Sequence, residues 1–487
     1  MSRAVISFGC CLAISFASVA HAQDTSSDHD GNLGKQVTHL EEALTRAYDE
    51  NPNLLAQRGI LRSTDALYPV ARSAYGPQIS IEARQRFARD RSQFLNQNWS
   101  AIEGFSSTAS LIFTQPLFSF GRRFASEQSA IARIEFGRNQ LRLVEAQTML
   151  TVIEGFLFLA RDRAAAEITA ENLDLLDRQL SASSARFRVR EVTVTDLQQV
   201  ETRVAIGRAQ LLNAQSSVRV SESRFLQSVG APAGILAPPP PLEIGVTSLE
   251  EALTAAYTDS PVIQGAIARE KLSRAELAAA RAEQYPNLTL QSSAVYGTVT
   301  PYSNDRRTTE LRSAVVLAVP IIDSGGRRAR IEAAKQANDA DVRLIQAALR
   351  DTQQAVSEAW NTWYAAGQSL QHYRAAGETA RKAYDGVVIQ EKAGDRTTLD
   401  VLDLARDLLG VRTNYVKALA EEYVARASLL AAIGRLEAPF LLPQITRYDP
   451  AANFDIQKRR GDLPIVTSIL SDLESIPVGD LETKKGF

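Results

Sequence analysis

Two rhythms of apolar and polar residues run along this chain. The shorter has a period of two. In Ile79-Ser-Ile-Glu-Ala-Arg-Gln-Arg-Phe87, Ile79, Ile81, Ala83 and Phe87 share one side, and Ser80, Glu82, Arg84 and Arg86 share the other. That alternation predicts a strand with one apolar face. Ser110–Thr114 and Leu288–Tyr296 alternate less cleanly, and Arg312–Val319 is apolar on both sides. Strand pairs are therefore expected at about 78–117 and 287–321. Alternation over roughly ten residues suits a lipid-facing barrel strand, although a single pair standing alone would sooner be read as a surface hairpin. Finding two pairs at matching places favours the barrel, and Trp99, Phe105, Tyr296 and Tyr302 would suit an aromatic girdle at its rim.

The longer rhythm is helical. From Gly121 to Val189, and again from Gly326 to Lys392, the chain holds no proline and few glycines. At 1.5 Å per residue each segment would be a helix of about 100 Å. A helix that long needs another long helix beside it. The returning segments carry the seam for this: Leu402, Leu409, Val416, Tyr423 and Leu430 recur every seven residues, and Leu197, Val200, Val204, Leu211, Ala214 and Val218 follow three-four spacing. Such repeats predict coiled-coil-like packing with a left-handed supercoil. Long helical hairpins are expected at about 121–230 and 326–436. Shorter helices at about 39–73 and 248–283, broken early at Asn51-Pro52 and Ser260-Pro261, precede each strand pair.

These elements occur twice because the chain itself is duplicated. His39-Leu-Glu-Glu-Ala-Leu-Thr-Arg-Ala-Tyr48 is answered by Ser248-Leu-Glu-Glu-Ala-Leu-Thr-Ala-Ala-Tyr257, at an offset of 209 positions (249 against 40). Pro116-Leu-Phe-Ser-Phe-Gly-Arg-Arg123 meets Pro320-Ile-Ile-Asp-Ser-Gly-Gly-Arg-Arg328. The expected organisation is a first repeat over 23–236, a stiff linker over 237–247 containing Ala237-Pro-Pro-Pro-Pro241, and a second repeat over 248–437. Residues 438–487 form a mixed polar tail that either wraps the body or is partly disordered. The fold class expected is mainly α with a membrane β part.

Composition narrows the function. Residues 1–22 read as a signal peptide, with Arg3, an apolar run from Ala4 to Ala20 and an Ala20-His-Ala22 cleavage site. Cys10 and Cys11, the only cysteines, lie inside it, which removes disulfides and thiolate chemistry from the exported chain. No later stretch offers 18 uninterrupted apolar residues, so no transmembrane helix is expected. The formal charge of −2 is spread over the chain without a basic stripe, which argues against nucleic acid as a partner. His29, His39 and His372 are scattered, Asp28-His-Asp30 is too short for a metal site, and no nucleophile-elbow, zinc-helix, phosphate-loop or calcium-loop motif occurs. No enzyme activity, cofactor or metal is expected.

Four strands cannot close a barrel, and open sheet edges are not tolerated in hydrocarbon. Closure must come from several copies related by rotation. Two copies would give eight strands with a side-chain-filled interior, whereas three would give twelve and leave a passage. A soluble periplasmic coiled-coil scaffold is the rival reading.

Together these residues resemble the TolC family of bacterial outer-membrane efflux proteins, over roughly residues 38–437. The most specific segment is Gly394-Asp-Arg-Thr-Thr-Leu-Asp-Val-Leu-Asp403, which is similar to the family's second hairpin turn; Asn51-Pro52 and Leu429-Leu-Ala-Ala-Ile-Gly-Arg-Leu436 also fit. The resemblance implies a homotrimer with a twelve-stranded barrel in the outer membrane of a Gram-negative bacterium and a helical tube in the periplasm. It also implies an adaptor protein and an inner-membrane ABC or proton-driven transporter as partners. The ending leans towards members of type I protein secretion systems, with small-molecule efflux as the alternative.

By position, the resemblance places Asp400 and Asp403 in an acidic ring at a gated entrance. It makes Arg396 a latch to Thr195 and Asp196 of a neighbouring copy. Three residues apart, the two aspartates share a helix face, and threefold symmetry would gather six carboxylates that attract cations; the plainer alternative is that these residues are helix-turn caps and solvated charges. Adaptor docking would involve the turns at Val189, Arg190, Glu191 and Gly394. Arg190 and Glu191 stand where the family commonly has a tight-turn glycine and an apolar residue, and Glu391 replaces a latch tyrosine of some members, so docking and closure there are expected to differ.

Overall fold

The computed structural model describes residues 36–93, 99–441, 444–460 and 464–475; the expected signal peptide and Asp28-His-Asp30 lie outside them. One order of elements appears twice. In the first half, α1 (Leu40–Glu50), α2 (Pro52–Asp65) and α3 (Leu67–Ser73) lead into β1 (Gln78–Ser92) and β2 (Ser100–Phe118), then α4 (Arg122–Arg188) and α5 (Val194–Val229). In the second, α6 (Leu249–Asp259) and α7 (Pro261–Ala282) lead into β3 (Asn287–Thr300) and β4 (Ser303–Ala318), then α8 (Gly326–Ala393) and α9 (Thr398–Ile433). The tail forms α10 (Ala438–Leu441), α11 (Ala452–Lys458) and α12 (Pro464–Ser475).

Local chemistry sets the breaks. Asn51 caps α2 by accepting from the N–H groups of Asn53 and Leu54, at 3.0 and 3.3 Å, with Pro52 in the first turn. A further break at Ala66, absent from the sequence reading, puts Pro69 in the first turn of α3, where a missing N–H costs no helical hydrogen bond. Gly121 and Gly325, with φ of 85° and 88°, turn the chain from strand into α4 and α8.

The two long helices, 67 and 68 residues, run beside different partners at their two ends. Near the sheet α4 packs on α2, α3 and α7, and α8 on α7. Further down, α4 packs on α5 and α9, and α8 on α9. The main core lies between these regions, where Tyr48, Leu54, Met149, Ile153, Phe156, Phe225, Leu429 and Ile433 are buried together. The most apolar stretch of α4 would by length and composition suffice to cross a membrane. Instead Met149, Val152, Ile153, Phe156 and Leu159 are spent on this core, and Glu145 and Glu154 interrupt the run. A second cluster, Leu176, Val200, Val204 and Leu402, continues the seam towards the tips.

The tail wraps the body. α10 touches α1 and α4, α11 touches α2 and α3, and α12 reaches α4 and β2 at the base of the sheet. Tyr448 donates its N–H to the Tyr48 hydroxyl at 2.9 Å, and the Arg58 guanidinium lies between the two rings, 4.4 and 4.9 Å from their centroids.

Candidate channel site: the sheet and the hairpin tips

The four strands form one antiparallel sheet in the order β1-β2-β3-β4, leaving β1 and β4 as edges. Directly paired residues point to the same side, so the register assigns faces. Ile79 pairs with Phe113, Ile81 with Leu111 and Phe87 with Phe105; Leu111 pairs with Ala294 and Ala109 with Tyr296; Leu288, Leu290 and Ala294 pair with Leu317, Val315 and Leu311. One face is thus mainly apolar across all four strands, interrupted by the pairs Gln85–Ser107 and Ser292–Ser313. Its side chains are exposed, Ile81 and Leu311 by 80% and 77%. The other face carries Glu82, Arg84, Arg86, Thr108, Gln291, Glu310 and Arg312. On β1 the apolar run from Ile79 to Phe87 spans about 26 Å, comparable with a lipid band about 25 Å tall.

Aromatic residues frame this band. Phe87 and Phe105 touch across β1 and β2 with centroids 5.1 Å apart, and Tyr296 is half exposed on the same face. At the base, Phe118 meets Phe120 at 4.6 Å, and Phe120 stacks on Tyr285 at 5.7 Å. The sequence points to Trp99, Phe105, Tyr296 and Tyr302 as girdle residues but not to this lower set. Phe120 and Tyr285 lie outside the strands, and Phe118 ends β2 beyond the alternating segment Ser110–Thr114, so the periodicity does not reach them.

At the opposite end, the two hairpin tips share one construction. Glu191 donates its N–H to the Arg186 carbonyl at 3.0 Å, and Asp395 donates to the Gln390 carbonyl at 2.9 Å, closing α4 and α8 alike. Such a closure places one residue in the left-handed region: Gly394, with φ of 87°, at the second tip and Arg190, with φ of 67°, at the first. A side chain therefore sits at the first tip where glycine is favoured.

Each tip then starts its returning helix with a capping box. Thr193 Oγ1 accepts from Asp196 N–H at 3.2 Å, while Asp196 Oδ2 accepts from the Thr193 hydroxyl and N–H at 2.8 and 3.0 Å. Thr397 and Asp400 repeat this at 3.3, 2.9 and 2.9 Å. The hydroxyl and N–H of Thr193 hold the Asp196 carboxyl below its ordinary 3.8. For Asp400, the Thr397 N–H, then its hydroxyl and the nearby Arg396 charge do the same. Asp196 and Asp400, which the resemblance cast as latch and ring residues, thus occupy the same local position in the two repeats.

Other expected residues are distributed as follows. Asp403 Oδ1 accepts from Arg203 Nη2 at 3.1 Å, tying α9 to α5 within one chain. Arg396, Thr195, Val189, Arg190, Glu191 and Gly394 are exposed at the tips. Glu391 does not leave its position bondless: it accepts from Arg186 Nη1 at 2.6 Å and from the Thr398 hydroxyl at 3.4 Å. Arg186 and Arg203 were missed in the sequence because their partners lie 205 and 200 positions away. Among the described residues no group of three or more His, Cys, Asp or Glu side chains is placed to hold a metal ion.

This architecture has close parallels. The family model of the outer membrane efflux protein matches residues 43–231 and 252–435. Over 427 residues the chain is 28% identical to the outer membrane efflux protein BepC of Brucella suis, covering 86% of this chain and 90% of BepC. It is 23% identical to the outer membrane protein TolC of Vibrio cholerae, covering 83% and 93% of the two. The Campylobacter jejuni CmeC outer membrane channel shares the fold, with a TM-score of 0.73 at 12% identity over 88% of this chain and 90% of CmeC. The CusC channel structure does so with a TM-score of 0.70 at 16% identity, over 82% and 93%. With both repeats matched and a sheet suited to lipid on one face, the chain belongs to the outer membrane efflux protein family and resides in the bacterial outer membrane.

Proposed function

We propose that three copies of this chain form the outer-membrane duct of a tripartite export system. The duct would carry substrates from an inner-membrane transporter and a periplasmic adaptor to the exterior, without catalysing a reaction. The observation that carries this reading is the sheet: mainly apolar on one face, more polar on the other, with β1 and β4 as its edges, each able to pair with another copy. Lipid does not tolerate those edges, and three sheets joined edge to edge remove all of them. A soluble scaffold gives no reason for an exposed apolar face on four strands.

In this reading the hairpin tips are the periplasmic entrance. Arg396 latches to Thr195 and Asp196 of the next copy, and the charge on its guanidinium is permanent. The capping boxes leave the second carboxylate oxygens of Asp196 and Asp400 for such contacts. Asp400 and Asp403 gather about the axis, with Arg203 offsetting part of the charge of Asp403. The exposed turns at Val189, Arg190, Glu191 and Gly394 meet the adaptor.

Reconstitution in planar bilayers tests the duct. A trimer with discrete conductance is expected, and Arg396→Ala should raise that conductance. A monodisperse monomer in mild detergent, or no conductance, would overturn the reading; unchanged conductance in Arg396→Ala would remove the latch alone. For cargo, the ending of the second repeat favours protein export by a type I system. Relatives named for antibiotic efflux and for cobalt-zinc-cadmium resistance favour small molecules. Comparing secreted proteins with drug and metal sensitivity in a deletion strain separates the two.

A further inference from the structure

Helix α12 is amphipathic in the inverted sense. Its inward positions are polar: Thr467 and Glu474, two turns apart, are 2% and 0% exposed. Its outward side carries an apolar stripe: Val466, Ile469 and Leu473, spaced three and four apart, are all exposed, flanked by the exposed polar Ser468 and Asp472. A soluble surface helix has the opposite arrangement.

The inward side is held by a buried carboxylate. Glu474 accepts from the Ser119 N–H and hydroxyl, both at 2.8 Å, and from the Arg123 N–H at 3.3 Å, and it forms an ion pair with the Arg123 guanidinium. The second repeat shows what this replaces. There Asp323 precedes α8 as Ser119 precedes α4, and Asp323 itself accepts from the Arg327 N–H at 2.6 Å. Ser119 cannot supply that carboxylate, so the tail brings one.

This anchor fixes α12 at the base of the sheet, beside β2 and level with Phe118, Phe120 and Tyr285. The corresponding turn of the second repeat exposes Val319, Ile321 and Ile322. An apolar belt therefore continues below the lipid-facing strands. β2 is hydrogen-bonded on both sides, whereas another copy must join at β1 and β4.

We propose that α12 lies on the periplasmic leaflet of the outer membrane. Its Val466, Ile469 and Leu473 stripe sits at the boundary of headgroups and acyl chains, and Glu474 docks it to the channel wall. The proposal rests on the reading of the sheet as a membrane stave. Because Cys10 and Cys11 fall in the expected leader, a single introduced cysteine can be labelled selectively.

The test uses nitroxide labels at Ile469→Cys, at Asp472→Cys on the same helix and at Ile81→Cys on β1. The full protein is reconstituted in phospholipid vesicles, and collisions with oxygen and with a water-soluble nickel chelate are measured. The proposal expects labels at 469 and 81 to favour oxygen, and the label at 472 to favour the chelate. A label at 469 in water while that at 81 is in lipid overturns the proposal and leaves the stave intact. A label at 469 shielded from both agents points to a covering copy and also overturns it. A label at 81 in water overturns the stave reading itself.

Discussion

Arg186 and Glu391 join the tips of the two helical hairpins inside one chain, with Arg186 Nη1 2.6 Å from Glu391 Oε1. The carboxylate is nearly enclosed, its side chain 9% exposed, while the arginine remains in contact with water. The tie therefore resists independent movement of the first tip against the second. Half-exposed pairs of this kind contribute about 1 kcal/mol or less. Glu391→Gln keeps the shape and removes the charge, so it should shift the balance of closed and open entrances up to about fivefold towards open. Single-channel recordings at rest would show longer open times; identical open times would remove any gating role from this pair.

The left-handed residue at each tip makes an opposed pair of predictions. Arg190→Gly should raise thermal stability by about 0.5–1 kcal/mol, because glycine adopts a φ of 67° without strain. Gly394→Ala should lower it by a similar amount. Melting of the helical circular dichroism signal measures both. If Arg190→Gly destabilises instead, the arginine side chain holds a contact worth more than its strain.

Burial raises the Glu145 carboxyl above its ordinary 4.5, opposed by the hydrogen bond that it accepts from Ala438 N–H at 2.9 Å. The folded chain thus holds the proton more tightly than the unfolded chain does. The stability this contributes is present below 4.5 and lost as pH rises through the folded value. Glu145→Gln retains an acceptor for Ala438 without the charge. It should melt above the parent at neutral pH, with the difference closing below about pH 4.

Glu474→Gln would strip the counter-charge from Arg123, whose side chain is 6% exposed. A loss of about 3–5 kcal/mol is expected. Adding Ser119→Asp should restore much of it, since Asp323 performs that service in the second repeat. Trimer survival in heated detergent would report both steps; a double variant no better than Glu474→Gln alone would refute the equivalence.

Much of the fold was legible because it is written in short-range patterns. Period-two alternation over Ile79–Phe87, proline-free helical runs and the glycines at 121 and 394 each act within a few residues. The departure at Arg190 was visible only through the resemblance, as a side chain where the family commonly has a glycine. The capping boxes were legible too, as Thr193-Val-Thr-Asp196 and Thr397-Thr-Leu-Asp400, and helix-turn caps are the plain alternative to a ring of carboxylates there. What could not be read were bonds between residues distant along the chain: Arg203 with Asp403, Arg186 with Glu391, Ser119 with Glu474. Each depends on how two long helices or a tail come to rest, and no local spacing encodes that.

The difference between Asp323 and Ser119 also makes the two halves unequal in what they require of the rest of the chain. The half with serine at its junction borrows a carboxylate from the far end of the chain, and the half with aspartate does not. With an aspartate at both junctions the far end of the chain would be released from this one duty, while α10 and α11 kept theirs.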